Sequence, residues 1–215
     1  MSLQLLNLSN GRCVMSFSKS EDSVEKYHAV PLILSARIDD VTYDRLWVAA
    51  ALCFGSSIVG RWSSGPAISE TAYLAVSDYL RGTGFFHVGN VVRETPEYRT
   101  GVSAKLVRSD GLFSNQKRPE STLDDEFMLL EVVPLGDWSG ALFNLHHFLI
   151  ASNSFLHDDS DIQRKYAGGS LAAAILLSND LSIDEIHVDN SDWSPGAFER
   201  VGSLLAAVGL KLAKY

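Results

Sequence analysis

The chain has 215 residues, of which 46% are hydrophobic, and its 18 basic and 26 acidic residues give a formal net charge of −8. A chain of this length can bury roughly 70% of its unfolded surface, so a substantial core is expected. The acidic balance argues against sequence-independent binding of nucleic acid, which requires a surface rich in Lys and Arg. An acidic surface of this kind suits a basic partner, although it is also ordinary for a cytosolic protein.

Neither cysteine chemistry nor a membrane anchor is predicted. Cys13 and Cys53 are the only cysteines, so neither a C-x-x-C site nor a disulfide framework is proposed. The first ten residues lack the charged and apolar regions of a signal peptide, and no apolar run reaches 18 residues. We therefore expect a cytoplasmic protein without membrane contact.

The first third of the chain predicts strands followed by helices. Leu3 to Leu8 and Arg12 to Phe17 are short apolar-rich runs around a turn that contains Gly11, which is typical of a hairpin. Ala29 to Ala36 has the length and composition of a buried strand. Asp39-Asp40 then offers N-cap chemistry for a helix that ends at Gly55.

A second helix is predicted from Pro66 or Ser69 to Leu80. Phe85 to Val92 and Ser103 to Ser109 then follow as strands. Residues 110–126 show little periodicity and many turn formers, so we expect a mobile loop or a sub-domain boundary there.

Phe127 to Leu135 is the strongest strand candidate, because it is almost wholly apolar apart from Glu131, and it should be central. Beyond it the patterns predict five elements. These are a helix from Ala141 to about Leu156, a helix from about Asp161 to Ser178 that is either interrupted or tightly packed at Gly168-Gly169, a strand from Ile183 to Asp189, a helix with Ser194 as N-cap and Pro195 at its first position that stops at Gly209, and a strand from Leu210 to Ala213.

This order predicts a single mixed α/β domain over residues 1–215. We expect a mixed sheet with helices packed on it in two or three layers. The strand-rich N-terminal part and the α/β C-terminal part should share that sheet.

The densest group of candidate site residues lies between residues 146 and 161. It consists of His146, His147, His157, Asp158, Asp159 and Asp161. On a regular helix His146 and His157 would share one face, and imidazole with carboxylate suits Zn, Mn or non-haem Fe as well as acid–base catalysis. Eleven residues of helix rise about 16 Å, however, which is too far for one ion to contact both histidines. The alternative is a half-buried His146, with Asp158 to Asp161 capping the next helix.

Ser139 is a second candidate, because it lies on a tight turn between a predicted strand and a predicted helix. Helix-terminal amides could face an oxyanion there, with His146 or His147 one to two turns further on. The spacing of the glycines at 136 and 140 differs from the G-x-S-x-G pattern of a nucleophile elbow. Helix capping by Asp137 or Ser139 is the alternative interpretation.

The segment SFSKSEDS, residues 16–23, resembles a degraded version of the S-G-G-x-D-S loop of ATP pyrophosphatases. Ser18, Asp22 and Ser23 match the pattern, whereas Lys19 and Ser20 replace both glycines. Those glycines allow backbone amides to approach pyrophosphate, so their replacement counts against an ATP cradle. An exposed charged turn is the alternative.

We expect a non-catalytic cytosolic interaction or regulatory protein that acts through protein–protein contacts, because the acidic surface and the 110–126 segment suit a protein partner. The alternatives are a hydrolase-like enzyme and a nucleotide-binding protein. The enzyme would use Ser139 or the group formed by His146, His157, Asp158 and Asp161. The nucleotide-binding protein would use Ser18, Asp22 and Ser23. Cofactor, metal and oligomeric state stay open.

Overall fold

The computed structural model describes residues 2–18, 30–58, 60–62, 67–81, 86–93, 100–109, 127–136, 140–144, 146–157, 168–190 and 193–215. Within these ranges the strands are β1 (Ser2–Asn7), β2 (Cys13–Ser18), β3 (Leu32–Leu34), β4 (Gly60–Trp62), β5 (Ile68–Ser69), β6 (Phe86–Val88), β7 (Val91–Val92), β8 (Val102–Arg108), β9 (Phe127–Pro134), β10 (Ala141–Phe143), β11 (His147–Ser152), β12 (Ile183–Val188) and β13 (Lys211–Lys214). The helices are α1 (Tyr43–Phe54), α2 (Glu70–Tyr79), α3 (Gly168–Leu177) and α4 (Pro195–Ala206).

Nine of these strands form one mixed sheet, which confirms the predicted α/β fold. The order is β1-β2-β3-β11-β9-β8-β12-β13, and β10 pairs with β11 beside this path. The strands β11, β9, β8, β12 and β13 are mutually parallel, whereas the pairs β1-β2, β2-β3 and β3-β11 are antiparallel. The N-terminal strands and the C-terminal strands therefore share one sheet, as expected.

The parallel strands reverse their spatial order between β8 and β12. The chain first steps outward from β8 through β9 to β11, and then returns to the other side of β8 with β12 and β13. Open α/β sheets place ligand sites at the carboxyl ends of strands beside such a reversal. Ser109 lies immediately beyond the carboxyl end of β8.

The two faces of the parallel sheet differ. One face packs with buried residues of all four helices into the main core, and its buried side chains are Ala104, Leu106, Leu130, Val132, Ile150, Ile186 and Val188. The opposite face carries a small separate apolar cluster of Val133, Leu149 and Ala151. No helix in the described part of the chain is long and apolar enough to span a bilayer.

Local signals near the C-terminus predict the structure well. Ser194 caps α4 by accepting a hydrogen bond from the amide of Ala197, and Pro195 occupies the first turn. Predicted strand 183–189 is observed as β12. A Cβ at Gly169 would lie 2.2 Å from the carbonyl oxygen of Ser154, so of the two alternatives for this glycine pair, interruption or tight packing, the structure shows tight packing at Gly169.

The predicted helix from Ala141 to Leu156 is wrong. The segment forms the antiparallel pair β10–β11 and then a short 3-10 turn, Ser154–Leu156. The reason is tertiary: β11 pairs with β9 along one side, and with β10 and the end of β3 along the other. The apolar residues of this segment do not by themselves select a helix, because the continuous apolar run of four residues from Phe148 to Ala151 equally suits a buried strand.

Two further predictions need correction. Thr42, not Asp39-Asp40, caps α1, because the helix begins at Tyr43 and the hydroxyl of Thr42 accepts from the amide of Arg45. The carboxylates of Asp39 and Asp40 instead accept hydrogen bonds from Arg37 and Asn179. The run from Phe85 to Val92 is not one strand: it forms β6 and β7 in two separate two-stranded sheets, interrupted by Gly89-Asn90. The predicted boundary at 110–126 lies outside the described residues.

Candidate functional site

A buried carboxylate lies in the middle of the parallel sheet, on the face opposite the main core. Glu131 belongs to β9 and is only 4% exposed. Its Oε1 accepts a hydrogen bond of 2.5 Å from the hydroxyl of Ser109, and its Oε2 lies 2.9 Å from His147 Nε2. These three side chains, which we call the Glu131 cluster, come from β9, the end of β8 and β11.

Strand register explains why the three residues meet. Glu131 lies beside Val107 of β8 and Leu149 of β11. Ser109 is two residues beyond Val107, and His147 is two residues before Leu149. Because side chains alternate between the faces of a strand, all of them point to the same side of the sheet. The carboxylate thus reaches diagonally to both neighbouring strands.

The contact between His147 and Glu131 is close but not a well-directed hydrogen bond. His147 Nε2 is buried and makes no hydrogen bond within the described part of the structure, despite its 2.9 Å distance from Oε2. His187 Nε2 is likewise buried without a hydrogen bond among the described residues. A buried carboxylate is costly unless its partners satisfy it, so Glu131 depends on both Ser109 and His147.

A second serine–carboxylate–histidine group lies on the same face of the sheet, on β8 and on the neighbouring strand β12. Ser103 donates to Glu185 Oε2 at 3.0 Å, and His187 Nε2 lies 3.5 Å from that same oxygen. The ring of Phe127 packs edge-on against His187, with ring centroids 4.8 Å apart. Glu185 is more exposed than Glu131, since 31% of its side chain is accessible compared with 6%.

The Glu131 cluster is not a serine-hydrolase triad. In such a triad the histidine accepts the serine proton and the carboxylate orients the histidine. Here the hydroxyl of Ser109 donates to the carboxylate itself. The chemistry available to the cluster is that of an oriented carboxylate and imidazole: ion binding or proton exchange.

The structure does not bring His146 and His157 together. They lie beyond opposite ends of β11, and a six-residue strand spans roughly 20 Å. His146 is exposed, and its amide donates to Asn144 Oδ1 in the turn before β11. No group of three or more His, Cys, Asp or Glu side chains in the described ranges could hold a metal ion.

His157 contacts the residue that precedes β3 and the last residue of α1. Its Nε2 lies 3.4 Å from the carbonyl oxygen of Pro31, and its ring packs edge-on against Phe54, with centroids 5.6 Å apart. Burial lowers the pKa of His157 from 6.5, outweighing the backbone carbonyls of Pro31 and Cys53, which favour the charged ring. His157 thereby links the start of β3, the end of α1 and the 3-10 turn.

Several predicted site residues fall outside the described residues, namely Ser139, Asp158, Asp161, Asp22 and Ser23. Ser18 ends β2, and its side chain is likewise not described. The hydrolase-like and nucleotide-binding hypotheses therefore remain predictions where they depend on these residues.

One feature of the sequence points to the Glu131 cluster. Glu131 is the single charged residue in the apolar run FMLLEVVPL, and a charge in a central strand marks either a strained or a functional position. Its partners lie 22 and 16 residues away in the chain, so only the register of three strands reveals them.

The hairpin edge beside the cluster is exposed and apolar. β10 pairs with β11, and all three of its residues are exposed, including Leu142 at 59% and Phe143 at 62%. Among the strands that the structure describes, only β11 pairs with β10.

Compared with protein-family models, with curated proteins and with solved structures, the chain shows no significant match.

Proposed function

We propose that this chain is a non-catalytic cytosolic interaction or regulatory protein that binds an extended segment of a partner protein along β10. The observation that carries the proposal is the exposed, apolar outer edge of this strand, with which none of the described strands pairs. An extended peptide can add to such an edge, where main-chain hydrogen bonds give affinity and side-chain contacts give specificity.

Backbone geometry indicates which groups a partner strand would use. The amide of Asn144 donates to the carbonyl of His147, and the amide of Ala151 donates to the carbonyl of Gly140. Hydrogen-bonded and non-hydrogen-bonded pairs alternate in an antiparallel ladder. Leu142 therefore directs its N–H and C=O toward β11, while those of Ala141 and Phe143 point outward.

The side chains of β10 offer an exposed apolar contact surface on both faces of the strand. Phe143 lies opposite Phe148, with ring centroids 5.7 Å apart, and Leu142 lies opposite Leu149. Natural sheets usually protect open edges with charged residues or proline. β10 reads Ala-Leu-Phe and has neither, so its exposed surface suits a partner strand with alternating apolar residues.

Charge favours a basic partner. The chain carries a net charge of −8, and complementary charge speeds and selects protein association. We therefore expect the bound segment to combine apolar residues with flanking Lys or Arg.

Affinity purification of the tagged chain from its native host tests the proposal. Wild type should recover a stoichiometric partner. Phe143→Lys should reduce recovery at least about tenfold, because it removes a large apolar contact and repels a basic segment. Ala141→Pro should act similarly by deleting an outward amide while leaving the ladder to β11 intact.

Leu74→Lys is the matched control, since Leu74 is 60% exposed on α2 and lies away from β10 in the sequence. It should leave partner recovery unchanged. Equal loss for Leu74→Lys and Phe143→Lys, or recovery of no stoichiometric partner by wild type, would overturn the proposal.

A further inference from the structure

We propose that the segment bound along β10 is the free carboxyl-terminal end of a partner protein, which lies antiparallel to β10 with its terminal carboxylate beside Arg12. The inference rests on the proposed function, because it specifies which kind of segment fills the same edge. It is drawn from the strand that closes one end of this edge and from the charge of Arg12.

Strands β3 and β10 follow one another along the same side of β11. Both run antiparallel to β11. The amide of Ser35, which follows β3, donates to the carbonyl of Ala151, and Ala141 of β10 pairs with the preceding residue of β11, Ile150. The two strands therefore lie in line, and β10 begins where the pairing of β3 ends.

Strand β2 closes the end of the β10 edge that lies next to β3. It pairs with the outer side of β3, where Cys13 lies opposite Leu34. A strand added to the outer side of β10 would lie in line with β2. Continuing the register of β2 and β3 places Arg12 beside Ser35, one residue beyond the position that faces Ala141, or about 3.4 Å along the strand. A bound chain that extended past Ala141 would therefore collide with Arg12.

The direction of β10 decides which end of a bound segment can lie at this closed end. β10 runs away from it, from Ala141 to Phe143. A segment antiparallel to β10 places its last residue opposite Ala141, whereas a parallel segment places its first residue there. The positive charge of Arg12 attracts a terminal carboxylate and repels a terminal ammonium group. The closed end thus favours a carboxyl terminus.

Arg12 has a charge available for this carboxylate. The residue is half-buried, and its backbone is held in the β1–β2 turn, where its amide donates to Asn10 Oδ1 and its carbonyl accepts from the amide of Leu8. No Asp or Glu in the described ranges lies within ion-pair distance of its guanidinium, whereas Arg37 already pairs with Asp39. A guanidinium can hold a carboxylate through two parallel hydrogen bonds.

The short length of β10 fits a terminal segment, because β10 has only three residues. The outward N–H of Ala141 would donate to one oxygen of the terminal carboxylate, which leaves the other oxygen for Arg12. The outward groups of Phe143 would pair with the third residue from the end. Main-chain hydrogen bonds to so few residues give limited affinity, and the charged contact adds to it. The contact therefore involves the last three residues of the partner.

Selection of random hexapeptides against the full chain tests the assignment. One library presents free carboxyl ends, and the matched library carries a Gly-Ser extension after the same random positions. Only the library with free ends should be enriched, because the extension would run into Arg12 and would remove the terminal carboxylate from the closed end.

A selected peptide then allows a quantitative comparison by calorimetry. Its carboxyl-terminal amide should bind at least about tenfold more weakly than its free acid, because the charge-assisted hydrogen bonds to Arg12 are lost. Arg12→Gln should weaken the acid at least about tenfold and change the affinity of the amide less than about twofold, because the two changes remove the same interaction. Arg37→Gln is the matched control and should leave both affinities within about twofold, since Arg37 is paired with Asp39.

Equal affinities of acid and amide, or enrichment of the extended library as well as the free one, would overturn the assignment of a carboxyl terminus. Strand addition at β10 would stand in that case if Phe143→Lys still abolished peptide binding. Enrichment of neither library would also overturn the assignment, whereas the proposed function would then depend on the recovery of a partner from the host.

Discussion

Substituting Gly169 by alanine tests how tightly α3 packs on the turn that follows β11. The added Cβ would lie 2.2 Å from the carbonyl oxygen of Ser154 and 2.9 Å from Cβ of His157. The closer atom is backbone, so either α3 or the 3-10 turn must move. Overpacking of this kind costs about 1–3 kcal/mol, which exceeds the gain of up to about 1 kcal/mol from replacing a helical glycine.

We therefore expect Gly169→Ala to lower the free energy of unfolding by about 1–2 kcal/mol, or the melting temperature by roughly 2–8 °C. Gly202→Ala in α4 is the matched control, because a Cβ there meets nothing within 4 Å. It should stabilise the protein by about 0.5–1 kcal/mol. Urea unfolding followed by circular dichroism measures both. If Gly169→Ala were as stable as Gly202→Ala, the close contact between Gly169 and Ser154 would be refuted.

Three more substitutions or conditions follow from the structure. Ser194→Ala should cost about 1 kcal/mol in urea unfolding, because the amide of Ala197 loses its capping acceptor, while Ser194→Asp should retain most of the stability. Burial lowers the folded-state pKa of His157, so the unfolded chain binds more protons. The free energy of unfolding should therefore be highest above pH 6.5, where the His157 ring is neutral in both states, and should decrease as the pH falls below 6.5. A His157→Asn variant should show a smaller pH dependence of the free energy of unfolding between pH 7.5 and 5.5. Burial also raises the pKa of the Cys13 thiol to about 12, so its alkylation at pH 8 should be negligible in the native protein and rapid in denaturant, as followed by mass spectrometry; rapid native alkylation would show that Cys13 is accessible.

Elements whose signals are local were predictable from the sequence. Helix α4 has a capping serine, a proline in its first turn and an apolar stripe, and each of these acts within a few residues. Strand β9 was predictable because a strand buried on both faces is almost wholly apolar. In both cases the local preference agrees with the tertiary structure.

Strand β11 shows where local patterns are insufficient. Its sequence HFLIAS contains a single β-branched residue, and the flanking apolar residues happen to follow helical spacing. The strand forms because β9 offers hydrogen-bonding partners on one side, and β10 together with the end of β3 offers them on the other. This pairing depends on segments distant in the chain, which a window of a dozen residues does not contain.

The Glu131 cluster could not be predicted from local patterns either, because it depends on strand pairing between distant segments. The sequence marks Glu131 as an exception within an apolar strand, but the identity of its partners depends on the relative register of β8, β9 and β11. Proximity in the chain places His147 in one predicted site with His146 and His157. The strand separates them, because it directs His147 to the sheet face and leaves His146 in the preceding turn.

Residue-resolved hydrogen exchange across β10 tests the proposed binding edge most directly. In the isolated chain, the amides of Ala141 and Phe143 should exchange faster than that of Leu142, because only Leu142 directs its N–H toward β11. When the co-purified partner is bound, exchange at Ala141 and Phe143 should slow at least about tenfold, because the added strand accepts their hydrogen bonds. Unchanged exchange at both amides in the complex would contradict strand addition at β10.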